Sequence, residues 1–221
     1  MFCCAWRCVT LTVARAIRLI NLLGIAAMIK IIARSLFYTA CSLLVLPCFS
    51  ASLYPDCSYD SEIESAVKRF SAGRDPDLLK AQLWQESRFK TDAVSPVGAS
   101  GIAQFMPATW EEQTAKLGLT GSPFDPKLSI IVAARYMQQQ YAFWSSPRPE
   151  YDRENLALCN YNAGAGNCVK AQKLSGGEVL YSHIIQYLPA VTGHYSRETI
   201  EYVQHIRRYQ LQIKARLPCY H

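Results

Sequence analysis

Two aspartate–proline pairs, Asp75-Pro76 and Asp125-Pro126, and a third proline, Pro107, stand at the heads of stretches with helical spacing. Each pair is a doubled start signal. The aspartate accepts from a first-turn N–H that has no partner in the helix, and proline's fixed φ suits the first position, where its missing N–H costs nothing. These devices predict helices through "PDLLKAQLWQES", through "PATWEEQTAKLG" with Gly118 as the stop, and through "PKLSIIVAARYMQQQYAF". In the last of these, Ile130, Ala133, Ala134, Met137 and Tyr141 recur three or four apart, so it is expected to be the most buried helix. Asp60 or Ser61 is a cap for a helix over "SEIESAVKRF". "RENLALCNYNAG" stops at Gly164, and Ser196 is a cap for a long last helix through "SRETIEYVQHIRRYQLQI". Glycines and small polar residues concentrate at 95–104 and 162–177, which read as loops. No stretch alternates with the strand period and none repeats. The expectation is one all-α domain of about 150–160 residues.

The first 51 residues read differently. They hold Arg7, Arg15, Arg18, Lys30 and Arg34 and no acid, which accounts for five of the six net positive charges of the 221-residue chain. The remainder carries 18 Lys and Arg against 17 Asp and Glu, so a basic footprint for nucleic acid has little support. Read from Met28, a second candidate start, the segment 28–51 has a basic beginning, an apolar charge-free middle and small residues near 50–52. That is the layout of a secretory signal peptide, and it predicts a periplasmic domain beginning at residue 52. The alternative is an uncleaved inner-membrane anchor with its basic end in the cytoplasm and the domain facing the periplasm. A lipid anchor is disfavoured, because Leu46-Pro47 precedes Cys48 where small residues are needed. Five of the nine cysteines lie in this leader, and the four beyond it are Cys57, Cys159, Cys168 and Cys219. An even number in an oxidising compartment suggests two disulfides. Of the three pairings, the preferred one joins Cys159 to Cys168 and Cys57 to Cys219, tying the ends of the domain together. No Cys or His pair beyond the leader has zinc-finger spacing, so no metal is expected, nor any other cofactor.

Three stretches carry residues suited to chemistry. Glu86 lies three and seven residues after Leu83 and Leu79, on an apolar helix face. Burial there would raise its proton affinity, as a general acid near neutral pH requires. "SPVGASGIAQFMP" offers Gly98 and Gly101 for tight turns, Gln104 to exchange hydrogen bonds with hydroxyls and acetamides, and Phe105 and Met106 for apolar contact. It is no phosphate loop, since no Gly-Lys-Ser/Thr follows. "CNYNAGAGN" places Asn160 and Asn162 beside Tyr161, a combination suited to carbohydrate. Asp92, Glu111 and Glu112 are the other acids near these stretches in sequence, and they read as a loop residue and exposed first-turn residues.

Together, "QESRF", "GASGIAQFMP", "NYNAG" and "RETIEYV", in this order and spacing, resemble the lytic transglycosylase domain of the soluble-lytic-transglycosylase type over roughly residues 60–213. The resemblance implies a lysozyme-like helical domain, residues 52–221, with a groove for peptidoglycan glycan strands. It implies Glu86 as the sole catalytic acid with Ser87 beside it. Gly98, Gly101, Gln104 and Met106 match the family's glycine-glutamine loop and Met-Pro pair, Tyr161 and Asn162 its Tyr-Asn-Ala-Gly motif, and Tyr202 the tyrosine that approaches the acid. Asn160 stands where the family commonly has alanine, and Ile102 where it often has leucine. The implied reaction is cleavage of the β-1,4 bond between N-acetylmuramic acid and N-acetylglucosamine, with formation of 1,6-anhydromuramic acid. The alternatives are a lysozyme-like muramidase, which releases hydrolysed ends, and a non-enzymatic glycan-binding assembly protein. Single-domain relatives of this kind also suggest secretion, conjugation or phage machinery as partners.

Overall fold

The computed structural model describes residues 57–215, and the leader and Cys219 lie outside them. Among the described residues nine α-helices follow one another: α1 Asp60–Phe70, α2 Pro76–Ser87, α3 Pro107–Leu117, α4 Pro126–Phe143, α5 Glu150–Ala163, α6 Ala165–Leu174, α7 Tyr181–Ile184, α8 Leu188–Thr192 and α9 Tyr195–Lys214, with a 3₁₀ turn at Ile185–Tyr187. Among the described residues the only β pairing is two isolated bridges, Val94 with Ser100 and Ser100 with Phe105.

The three proline starts form as their chemistry demands. Asp75 Oδ1 accepts from the Asp77 N–H, and Asp125 Oδ1 accepts from the N–H groups of Lys127 and Leu128. Gly118 closes α3 in the left-handed conformation. Other expected boundaries move. Neither Asp60 nor Ser61 caps α1; the cap position is Tyr59, itself left-handed at φ 64° with no side-chain bond. Helix α9 begins at Tyr195, so Ser196 lies inside it, its hydroxyl donating to the Gly193 carbonyl at 2.6 Å. The stretch 162–177 is not one loop but holds α6. Of its early glycines only Gly164 takes a positive φ, at 82°, and turns the chain. Gly166 sits in the first turn of α6, and Cys168 and Ala171 anchor the rest in the core.

The most buried helix is α2 and not α4. Eight of its twelve residues are buried, against six of eighteen in α4, whose Tyr136, Met137 and Tyr141 stay partly open. Helix α2 has no polar face to give to water. Leu78, Leu79, Ala81, Leu83 and Trp84 meet the main core, which also holds Ile63 of α1, Ile130 and Ala133 of α4, Leu158 of α5, and Val203 and Ile206 of α9. Two of its buried polar members find partners in neighbouring elements. Lys80, 4 % exposed, pairs with Asp60 of α1, and Ser87 donates to the Ile102 carbonyl at 2.9 Å. A smaller core of Trp144, Leu156, Ile184 and Leu188 surrounds the disulfide between Cys159 of α5 and Cys168 of α6. Cys57 is also disulfide-bonded, and its expected partner Cys219 lies outside the described residues.

Between α2 and α3 the chain runs through two further left-handed residues, Arg88 and Phe89, at φ 57° and 60°. Their side chains hold them there. Arg88 donates to Tyr209 Oη at 2.6 Å, and the Phe89 ring meets Trp84 at 5.3 Å and Tyr59 at 5.8 Å. The glycine loop then folds on itself. Ser100 and Phe105 exchange backbone hydrogen bonds, and the Gly101 N–H donates to the Ala93 carbonyl. Gly101, at φ 73°, lies so close to the 123–124 backbone that a Cβ would stand 1.9 Å from the Pro123 carbonyl oxygen, whereas Gly98, at φ 90°, faces open space. Alanine at the two positions separates the effects. Gly98→Ala, which bears backbone strain alone, should lose roughly 1–2 kcal/mol in urea unfolding. Gly101→Ala, which adds a backbone clash, should lose about 3 kcal/mol or more.

Candidate active site

Glu86 sits in the last turn of α2, the helix that the fold buries most completely. Tyr202 of α9 donates its hydroxyl hydrogen to Glu86 Oε1 at 2.5 Å, and Gln82, one turn before Glu86, donates from Nε2 to Tyr202 Oη at 3.1 Å. Glu86 is only half-buried by surface, but the density of protein atoms around a carboxyl, more than its residual surface, sets the cost of charging it. Burial pushes Glu86 up from the ordinary 4.5 to about 8; the Tyr202 hydrogen bond works against that rise, and the negative charge of Glu198 adds to it. The phenols of Tyr161 and Tyr202 are both held well above the usual value, by burial first and then by the Glu86 charge. Both therefore stay protonated and act as donors. The result is a carboxyl that keeps its proton near neutral pH, with an O–H donor ready for the anion it leaves behind.

Tyr161, near the end of α5, does not bond the carboxyl. Its hydroxyl donates to the Ala103 carbonyl at 2.7 Å, and its ring packs on Tyr136 at 5.3 Å and Phe105 at 5.9 Å, so it props the glycine loop. Gln104, itself left-handed at φ 48°, donates from Nε2 to the carbonyls of Gly101 at 2.8 Å and Ala93 at 3.2 Å. With Ser87 turned to Ile102, both side chains have donor bonds to the loop. Met106 caps α3 and is 43 % exposed.

Next to the acid lies a polar groove of about 400 Å³ whose walls include Asn162, Asn167, Thr192, Tyr195, Glu198 and Thr199. Asn162 Oδ1 accepts from Thr199 Oγ1 at 2.6 Å, which leaves the amide hydrogens of Asn162 as its offering to a ligand. Glu198 joins the two places, since it lines the groove and its charge bears on Glu86.

The structure thus gathers Glu86, Tyr161 and Tyr202 around one carboxyl, with Asn162 along the adjoining groove. Asp92, Glu111 and Glu112, the other acids singled out in the sequence, are all exposed, and the acid that acts on Glu86 is Glu198. Gln82 and Glu198 were not legible as site residues. Each sits four residues before a key side chain, Gln82 before Glu86 and Glu198 before Tyr202, and so shares its helix face. That spacing is the signal that could have found them. Among the described residues no group of His, Cys, Asp and Glu could hold a metal ion.

An all-helical domain with one shielded acid beside a polar groove is the architecture of the lysozyme-like superfamily. The model of the Transglycosylase SLT domain family matches residues 65–182, and the chain belongs to that family. It is similar to membrane-bound lytic murein transglycosylase F of Serratia proteamaculans, at 31% identity over 164 residues, 67% of this chain and 33% of the relative. The protein of that name from Salmonella arizonae is 30% identical over 167 residues, 69% of this chain and 32% of the relative. The chain therefore spans about a third of the length of these relatives. Among solved structures, an inactive mutant of lytic transglycosylase Slt from Pseudomonas aeruginosa aligns with a TM-score of 0.57 at 25% identity, over 73% of this chain and 25% of that one. The 70 kDa soluble lytic transglycosylase of Escherichia coli shares the fold, with a TM-score of 0.54 at 24% identity over 69% of this chain and 24% of that one.

The Glu86 environment has a measurable cost. A carboxyl whose proton affinity is raised on folding contributes stability that is fully present below the unfolded-state value and is lost as pH rises through the folded value. Wild-type protein should lose stability between pH 4.5 and about 8. Glu86→Gln, which cannot ionise, should lack that loss, so the two should unfold alike near pH 4 while the variant is the more stable at pH 9. Urea unfolding across this range measures both.

Proposed function

We propose that this domain is a peptidoglycan lytic transglycosylase of the carbon–oxygen lyase type, acting on glycan strands between N-acetylmuramic acid and N-acetylglucosamine. The observation that carries the reading is the protonated Glu86 carboxyl, held by Tyr202 beside the polar groove. Glu86 gives its proton to the glycosidic oxygen, and the bond from that oxygen to the muramoyl C1 breaks. The carboxylate is then stabilised by the Tyr202 O–H, and the substrate's own acetamide helps to stabilise the intermediate. Glu86 next takes the proton of the muramoyl C6 hydroxyl while that oxygen bonds to C1. The acid is regenerated, no water is consumed, and the product ends in 1,6-anhydromuramic acid. Attack from within the same sugar has a large advantage over attack by bulk water. Gln104, Met106 and Asn162 are the residues we assign to the sugar, and Ser87, Gly98, Gly101 and Tyr161 to the shape of the loop. The relatives' names, together with the leader, support action on the periplasmic side of the inner membrane by a domain comprising residues 52–221. No helix among the described residues is long and apolar enough to cross a membrane.

One observation favours a second reading. Glu198 is an exposed carboxylate in the groove, placed where its charge reaches Glu86. Glycosidases that use water pair the acid with a second carboxylate. If Glu198 filled that role, the enzyme would be a muramidase. Digestion of sacculi in ¹⁸O-labelled water followed by mass spectrometry separates the two. Unlabelled anhydro ends are expected, from wild type and from Glu198→Gln alike. Predominantly labelled reducing ends would assign the muramidase reaction. Glu86→Gln should lose at least roughly 10²-fold in turnover while remaining folded, and near-normal digestion by it would remove Glu86 from the reaction.

A further inference from the structure

We propose that Gln82 is a positioning residue for this reaction: it fixes the direction of the Tyr202 hydroxyl and so keeps that hydrogen on Glu86. The proposal rests on the reading of Glu86 as the acid. Gln82 is 1 % exposed and rises from the same face of α2 as Glu86, one turn earlier. Both side chains meet one atom of α9, Tyr202 Oη, which receives the Gln82 amide hydrogen at 3.1 Å and gives its own to Glu86 at 2.5 Å.

The directionality follows from the donor count. A phenol has one hydrogen and can also accept. With the Gln82 amide donating into its lone pair, Tyr202 has no acceptor in that direction, and its hydrogen is left to the carboxylate. The same bond polarises the phenol. Gln82 lowers the Tyr202 proton affinity, against the strong rise from burial, which makes the O–H a better donor. The consequence falls on the moment after proton transfer, when Glu86 carries a negative charge with Glu198 nearby and needs a donor in place. A glutamine at this depth is otherwise hard to explain. Its Oε1 finds no partner among the described residues, and an apolar side chain would fill the site without desolvating an amide.

The charged and titratable groups around this run of hydrogen bonds come from α4, α5, α9 and the turn before α2. Tyr202 and Glu198 face Glu86 from α9, and Tyr161 stands by from α5. On its other flank Gln82 lines a small cavity of about 40 Å³ with Arg74, Asp75, Tyr141 and Glu154.

The test is a pH–rate profile of the full chain on soluble, uncrosslinked glycan strands, for Gln82→Met and Gln82→Leu, each alone and combined with Tyr202→Phe. Tyr202→Phe removes the donor that favours the Glu86 anion, so its alkaline limb lies above that of wild type. Gln82→Met should lower kcat about three- to tenfold with KM unchanged. It should also move the alkaline limb to higher pH by about half a unit or more. In the Tyr202→Phe background neither Gln82 variant should add anything, because the residue acts only through the tyrosine. A normal limb in the single variants, or an equal loss in both backgrounds, would overturn the proposal and leave Gln82 a packing residue. Glu86→Gln is run alongside. If it is inactive while the Gln82 variants behave as wild type, only the positioning role fails; if it is active, the acid assignment itself fails.

Discussion

The hydrogen bond from Tyr202 to Glu86 joins positions 116 apart in the chain, and it forms only if α9 lies along α2 in one register. Much of the domain serves that register. Asp75, at the head of α2, accepts from Gln210 and pairs with Lys214 near the end of α9. Arg88, just past the other end of α2, reaches Tyr209. From the opposite side Arg207 of α9 is held by Glu154 and Asn155 of α5, at 2.9 Å and 2.6 Å. Apolar burial drives the helices together but is not directional. These polar ties at several heights along α9 resist sliding or rotation, and hence resist loss of the tyrosine from the carboxyl.

Enclosing an acid in this way has a structural price, and α2 shows where it falls. The helix carries Lys80, Gln82, Glu86 and Ser87 in or beside the core. Each needs a partner supplied by another element: Asp60 of α1, Tyr202 of α9, the Ile102 carbonyl of the glycine loop. A buried ion pair such as Lys80 with Asp60 is weak evidence for stability, because desolvation offsets most of the attraction, but removal of one partner is severe. The helix is therefore dependent on its surroundings in a way an apolar core helix is not. The flanking elements, in turn, are specified by what α2 requires of them.

The parts of this fold that were legible in the sequence are those decided within a few residues. The aspartate–proline starts of α2 and α4, the proline start of α3 and the glycine stop after it are local chemistry, and they appear where the spacing placed them. Helix α6 was hidden because its run is short and interrupted by Gly166, and it is held by Cys168 and Ala171 against distant residues such as Leu156 and Leu188. The short turns between 181 and 192 were hidden for the same reason. Burial of α2 was underestimated because its amides and charges read as solvent-facing until their partners are known. In the site, Glu86 and Tyr202 were named through a family resemblance. The roles of Gln82 and Glu198 depend on which two helices meet, and no single stretch of chain contains that information.

Helix α2 runs so that Glu86 lies at its carboxyl end, one residue from the last helical position. The peptide dipoles of a helix sum to a partial negative charge at that end, which disfavours an anion there and favours a cation or a neutral group. Acidic side chains gain from the opposite end, as Asp75 does at the start of the same helix. The direction of chain travel through the core thus adds a fixed field that favours the uncharged acid. The same carboxyl, in the same apolar surroundings, would release its proton more readily if the helix beneath it ran the other way.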